Sequence, residues 1–128
     1  MATVAALGIL GEFPNSASLS AAQTGNGAST NSVDRGGRFG PALLTITTAI
    51  GATPTCTYVI EGSADGVDWF AVAYADSATP TTVSVATFVI TTATTVRKIV
   101  QPNTPVRYLR LTYSANTNVT NTADIFVF

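Results

Sequence analysis

The sequence predicts an all-β protein: a two-sheet antiparallel β-sandwich, jelly-roll-like, preceded by an extended N-terminal arm. Three observations lead there. Short runs rich in Val, Ile, Thr, Tyr and Phe recur at roughly regular spacing, with Gly, Pro, Asn and Asp between them. No segment sustains a 3.6-residue apolar period flanked by caps. Alternation is cleanest over residues 106–113, where Leu109, Leu111 and Tyr113 fall on one face and Tyr108, Arg110 and Thr112 on the other. A chain of 128 residues fits one such domain, over 16–128, with residues 1–15 as the arm.

The arm closes at Phe13-Pro14-Asn15, where Pro14 removes a donor and restricts Phe13 to extended geometry. Its apolar residues have two destinations, the domain's own core or a neighbouring subunit. Residues 17–23 and 28–34 are weak strands around the turn Thr24-Gly25-Asn26-Gly27. Arg35-Gly36-Gly37-Arg38-Phe39-Gly40-Pro41 reads as a turn before a strand. It is not a phosphate cradle, because no Lys-Ser/Thr follows and the next segment is not helical. Residues 42–50 form a strand with Leu44, Ile46 and Thr48 on one face, and Gly51-Ala52-Thr53-Pro54 is a turn.

Residues 58–72 read as a hairpin. Val59 and Ile60 favour a strand, Asp65-Gly66 readily places a residue at positive φ, and Trp69-Phe70 begins the return. Residues 82–90 hold one long strand or two bent ones, and 96–100 another, stopped by Pro102 and Pro105. Residues 114–122 are polar turn sequence. Residues 123–128 end the chain as an apolar strand whose terminal Phe suggests docking within the sheet or at an interface.

Charged residues make up only 10% of the chain while 46% is hydrophobic. An ordinary soluble domain carries about 25% charge. Charge is the main device that keeps globular proteins apart, so large surfaces are expected to be buried against other chains. The six basic residues are scattered, with neither a basic stripe nor a reading module, so no nucleic-acid partner is expected. The apolar run 4–10 is too short to span a bilayer, so no membrane partner is expected either.

The chain has no His, and Cys56 is its only cysteine. The commonest acid/base group and metal ligand is therefore missing, and Cys56 reads as a small buried hydrophobe. No catalytic residue, cofactor or metal is assigned, and the chain is expected not to be an enzyme. Asp65, Asp68 and Glu61 supply the hard oxygens that calcium needs, but without EF-hand spacing; the favoured role for Asp65 is capping its own turn. Trp69 and Tyr74 form an alternative ligand platform for a sugar, set against a structural role in which Trp69 seals the sandwich. Arg107 and Arg110 are three apart, so they point to opposite faces and each is expected to meet a carboxylate or a partner chain.

Two resemblances follow. The segment from Glu61 to Trp69, together with Pro105-Val106-Arg107-Tyr108-Leu109-Arg110-Leu111, resembles the hairpin and late strand of discoidin-like, galactose-binding-type sandwiches. That likeness implies a sandwich and carries no sugar-binding loops with it. The layout of residues 16–128 resembles small virion proteins of tailed bacteriophages, capsid decoration (cement) proteins among them. It comprises the Ser/Ala/Thr/Gly-rich opening, Val33-Asp34-Arg35-Gly36-Gly37, a Leu-Leu-Thr-Ile strand, Gly51-Ala52-Thr53-Pro54-Thr55, the hairpin and the Arg-Tyr-Leu-Arg strand. This resemblance implies a homotrimer bound to the major capsid protein on the capsid surface of the virion. The expected capsid or subunit contacts are Val4, Leu7, Ile9, Leu10 and Phe13 of the arm. The second expectation is a carbohydrate-binding module of a phage tail or secreted protein, using Trp69 and Tyr74.

Overall fold

A computed structural model describes residues 16–38, 40–102 and 104–128. It contains ten strands and, among the described residues, no helix. They are β1 (Ser16–Gln23), β2 (Gly27–Ala28), β3 (Val33–Asp34), β4 (Ala42–Ser63), β5 (Phe70–Ala71), β6 (Tyr74–Asp76), β7 (Val83–Ser84), β8 (Phe88–Ile90), β9 (Thr95–Val100) and β10 (Tyr108–Val127). All belong to one antiparallel hydrogen-bonded sheet with the path β1-β10-β4-β9-β6-β7. The short β2 and β3 pair with β10, and β5 and β8 with β4.

The fold is built on β4 and β10, which run alongside each other for nearly their whole length. Two expected turns are strand instead. Residues 51–54 lie inside β4, and residues 114–122 inside β10. Their register slips where turn chemistry was expected: Thr117 pairs with Thr55 and Val119 with Ile50, so residues 51–54 bulge out of the ladder. Pro54 therefore sits where its missing N–H costs no ladder bond. Thr53, Ala115 and Asn118 take left-handed φ values of 51°, 49° and 54°, and the Asn118 side-chain amide donates to the Ala52 carbonyl at 2.6 Å. Beyond the bulge, pairing with β1 on one side and the first half of β4 on the other overrides the low strand propensity of the Thr/Asn-rich stretch.

Burial separates the two faces of each alternating strand. Leu44, Ile46 and Thr48 are buried, as are Leu109, Leu111 and Tyr113. The two halves of the long ribbon contribute to one core: Tyr58 stacks on Phe88 with centroids 5.1 Å apart and meets Tyr113 edge-on at 5.6 Å. The Tyr58 hydroxyl donates to Asn121 Oδ1 at 2.6 Å, tying the second half of β4 to the second half of β10. In the same way the Tyr113 hydroxyl donates to Ser20 Oγ of β1 at 2.9 Å.

The hairpin forms, with Glu61 opposite Ala71 and Gly62 opposite Phe70, around a six-residue loop, 64–69. Gly66 takes φ 79° there, and Asp65 Oδ1 accepts from the backbone N–H of Val67 and of Asp68 and from Ser63 Oγ. Gly62 is needed for a different reason: a Cβ there would stand 2.9 Å from Val72 and Val106. The return is split between β5 and β6, and the 82–90 stretch becomes the two short strands β7 and β8.

Candidate interaction surface

Directly paired residues in an antiparallel ladder point to the same face, so the register sorts side chains into rows. One row runs Ser84, Tyr74, Val100, Ala42, Val127, and the row two residues away runs Lys98, Leu44, Ile125, Ala17. Both are on the inner, core-forming face. The row between them therefore faces outward: Val83, Ala75, Ile99, Leu43, Phe126 and Ser16, crossing all six strands of the sheet path. Every residue in it except Ser16 is apolar. Val83 is 50% exposed and Phe126 37%, Leu43 and Ile99 are half-buried, and Ala75 is buried at 1%, so the exposed part of the row is interrupted at β6. Phe128 and Val85, just past the ends of β10 and β7, are 59% and 54% exposed.

The next outward row is polar: Arg97, Thr45, Asp124 and Ser18. Arg97 is exposed and Asp124 half-buried, and among the described residues the side chain of neither has a hydrogen-bond or ion-pair partner. The other carboxylate-cation pairs are closed within the chain. Arg107 grips Asp34 through two bonds of 2.9 Å, and Arg110 meets Glu61 at 2.8 Å. Lys98 pairs with Asp76 and lies 4.5 Å from the Phe88 ring centroid. The Arg107 guanidinium and the backbone N–H of Gly36 hold the Asp34 carboxyl below its usual range. The backbone amides of Asp68 and Val67, with Ser63, do the same for Asp65.

The two aromatic residues of the expected platform are not brought together. Tyr74 is buried on the inner face, its ring edge-on to Phe88 at 5.5 Å and its hydroxyl donating to the Ala86 carbonyl at 2.8 Å. Trp69 lies on the outer side of the hairpin under the Arg110 guanidinium, 4.1 Å from ring centroid to Cζ. Arg110 is thereby held between Trp69 and Glu61, whose Oε1 also accepts from Thr112 Oγ1 at 2.6 Å. One face of the indole is occupied by a residue of this chain. The arm residues Val4, Leu7, Ile9, Leu10 and Phe13 lie outside the described residues.

A cleft of about 710 Å³ opens beside the start of β1, lined by Val33, Asp34, Arg35, Arg38, Arg107 and Val127 among others. Its cations are engaged. Arg35, 2% exposed, donates from Nε to the Arg38 carbonyl at 3.0 Å, Arg38 donates to the Val127 carbonyl at 3.3 Å, and Arg107 is taken by Asp34. The Arg-Gly-Gly-Arg segment is thus a structural knot joining the start of β4 to the end of β10. Burial pushes the Cys56 thiol up, away from the reactive thiolate. Among the described residues no three His, Cys, Asp or Glu groups are placed to hold a metal, and no helix is long and apolar enough to cross a membrane.

Sequence reasoning missed the outward apolar row. Its one legible trace was the segment Ile125-Phe126-Val127-Phe128, apolar at both parities, which a strand with only one buried face does not require. No protein-family model matches the chain, and no curated protein sequence matches it. Among solved structures, the crystal structure of SPBc2 prophage-derived protein YomS is similar at a TM-score of 0.62 and 11% identity, over 88% of this chain and 91% of that one; the likeness is one of fold.

Proposed function

We propose that this chain is a non-enzymatic virion structural protein, a decoration or cement protein that reinforces a phage capsid from its outer surface as a homotrimer bound to the major capsid protein. In this reading the ten-stranded sheet closes over its core as a jelly-roll-like sandwich and leaves the outward row as a contact surface. The observation that carries the proposal is that row: Val83, Ile99, Leu43 and Phe126, with Val85 and Phe128 exposed just past the ends of β7 and β10, on a surface with little charge to keep neighbours away. The likeness in fold to a prophage-derived protein agrees with a phage setting.

The mechanism is buried area combined with avidity. A trimer that touches adjacent capsid subunits makes its second and third contacts at high effective concentration, so weak faces give firm attachment. Light scattering and co-sedimentation with expanded capsids test this. A trimer that pellets with capsids, and loses that association in Phe126→Lys with its fold intact, is the expected result. A stable monomer that stays in the supernatant would end the proposal.

A further inference from the structure

The polar row beside the apolar one holds two charges without a partner among the described residues: Arg97 on β9, exposed, and Asp124 on β10, half-buried. They do not meet, because Thr45 of β4 stands between them in the register and two strand spacings are about 10 Å. Their placement has a symmetry with β4 as its midline. Ile99 of β9 and Phe126 of β10 flank Leu43 in the apolar row, Arg97 and Asp124 flank Thr45 in the polar row, and the row after that is three threonines. A half-turn about an axis lying along β4, just in front of the face, turns a second copy over and exchanges the β9 and β10 positions. Ile99 then faces the partner's Phe126 and Arg97 faces the partner's Asp124, and each pairing occurs twice. Leu43 and Thr45 lie on the axis, each against its own counterpart. We infer that two copies of this chain pack face to face about this axis, each supplying the ion-pair partner that the other lacks.

The dimensions suit sheet packing. Sheets stacked face to face lie about 10 Å apart, a gap that extended Arg and Asp side chains bridge between them. Packed sheets also cross at about 30°, which shifts a pair lying about 6 Å from the centre by about 3 Å, an offset the long Arg97 side chain takes up. The five strands from β6 to β1 are about 19 Å across and the six residues of β9 about 20 Å long, a footprint of about 400 Å² per chain. That is the small end of protein interfaces, where association is reversible. Ala75, buried on β6, lies at the edge of this footprint, so the break there leaves the central rows intact. The two charged contacts fix the register, since any other leaves both charges unpaired inside the contact.

The inference goes beyond the capsid reading and takes no premise from it. The contact doubles whatever unit carries it, a chain to a dimer or a trimer to a hexamer, and it keeps the apolar face covered until a capsid subunit displaces the partner. Sedimentation equilibrium of the full chain without capsids, from about 1 to 200 μM, is the test. The mass should double with concentration and grow no further. Arg97→Glu sets carboxylates against each other at both contacts, and Asp124→Arg does the same with guanidiniums, so each variant alone should pair at least about tenfold more weakly. Mixed in equal amounts, the two variants complement each other at both contacts and should pair as firmly as the unaltered chain, a rescue that a misfolded variant could not give. The double variant Arg97→Glu/Asp124→Arg should pair with itself as well. A mass that never doubles, growth beyond a doubling, single variants that pair like the parent, or a mixture that stays apart would overturn the inference. Co-sedimentation with capsids is a separate measurement: if it fails while the mass doubles, the capsid reading falls and the two-fold contact stands.

Discussion

Tyr58→Phe removes one oxygen and nothing else from the centre of the core. Both Tyr58 and Asn121 are 0% exposed, and the hydroxyl donates to Asn121 Oδ1 at 2.6 Å. Deleting the donor loses a hydrogen bond with a net value of about 1 kcal/mol and leaves a buried amide oxygen without its partner, which together cost about 2 kcal/mol. The ring stays stacked on Phe88, so no cavity larger than the hydroxyl is created. At about 2.1 cal/mol/K per residue, 128 residues give an unfolding entropy of about 0.27 kcal/mol/K, so the loss appears as a fall in Tm of about 7 °C. Urea denaturation followed by Trp69 fluorescence should show a lower midpoint with an unchanged slope. A loss below 0.5 kcal/mol at unchanged slope would refute the claim that this bond ties the second half of β4 to the second half of β10, since an orphaned buried acceptor cannot be that cheap.

Two further perturbations probe the same core from other directions. Burial pushes the Tyr113 hydroxyl up from its ordinary 10.0 to about 12. Between those values the unfolded chain has released the proton and the folded one has not, so the contribution is full below pH 10 and is lost as pH rises through 12. Two units correspond to about 3 kcal/mol, and burial displaces Tyr58 in the same direction; a urea midpoint that does not fall between pH 10 and 12 would contradict the placement. The Lys98–Asp76 pair is asymmetric, with side-chain exposures of 10% and 56%. Asp76→Ala strands a buried ammonium against Phe88 and Tyr74 and should cost about 2 kcal/mol, whereas Lys98→Met leaves only a solvated carboxylate and should cost less than half as much in the same denaturation assay.

The legible part of the fold was that determined by local alternation. Leu109-Arg110-Leu111-Thr112-Tyr113 and Leu44-Thr45-Ile46-Thr47-Thr48 announce their buried faces because one side of each strand is apolar and the other is not. Asp65 capping its loop and Arg107 and Arg110 each meeting a carboxylate were legible for the same reason: they follow from near neighbours and side-chain parity. The bulge at 51–54 was not, because Gly-Ala-Thr-Pro carries the same chemistry in a turn as in an excursion that leaves a strand and rejoins it. Only the partner strand, with Asn118 reaching to the Ala52 carbonyl, decides between them. Arg35 was hidden as well; its burial depends on carbonyls of Arg38, Gly40 and Thr104. The outward row is invisible residue by residue, since its members come from six separate strands and only the register assembles them.

That register also explains how a charge-poor chain distributes the few charges it has. Asp34, Glu61 and Asp76 are each committed to a basic partner within the chain, Asp65 to its own loop, and Arg35 to backbone carbonyls. These interactions fix loops and strand ends; they do little to keep other molecules away, because a paired or capped charge presents a weak field to a neighbour. On the outward face the balance tips further, with one apolar row crossing the sheet and only Arg97 and Asp124 on the polar row beside it. A face of that kind has a physical tendency to be covered by another surface.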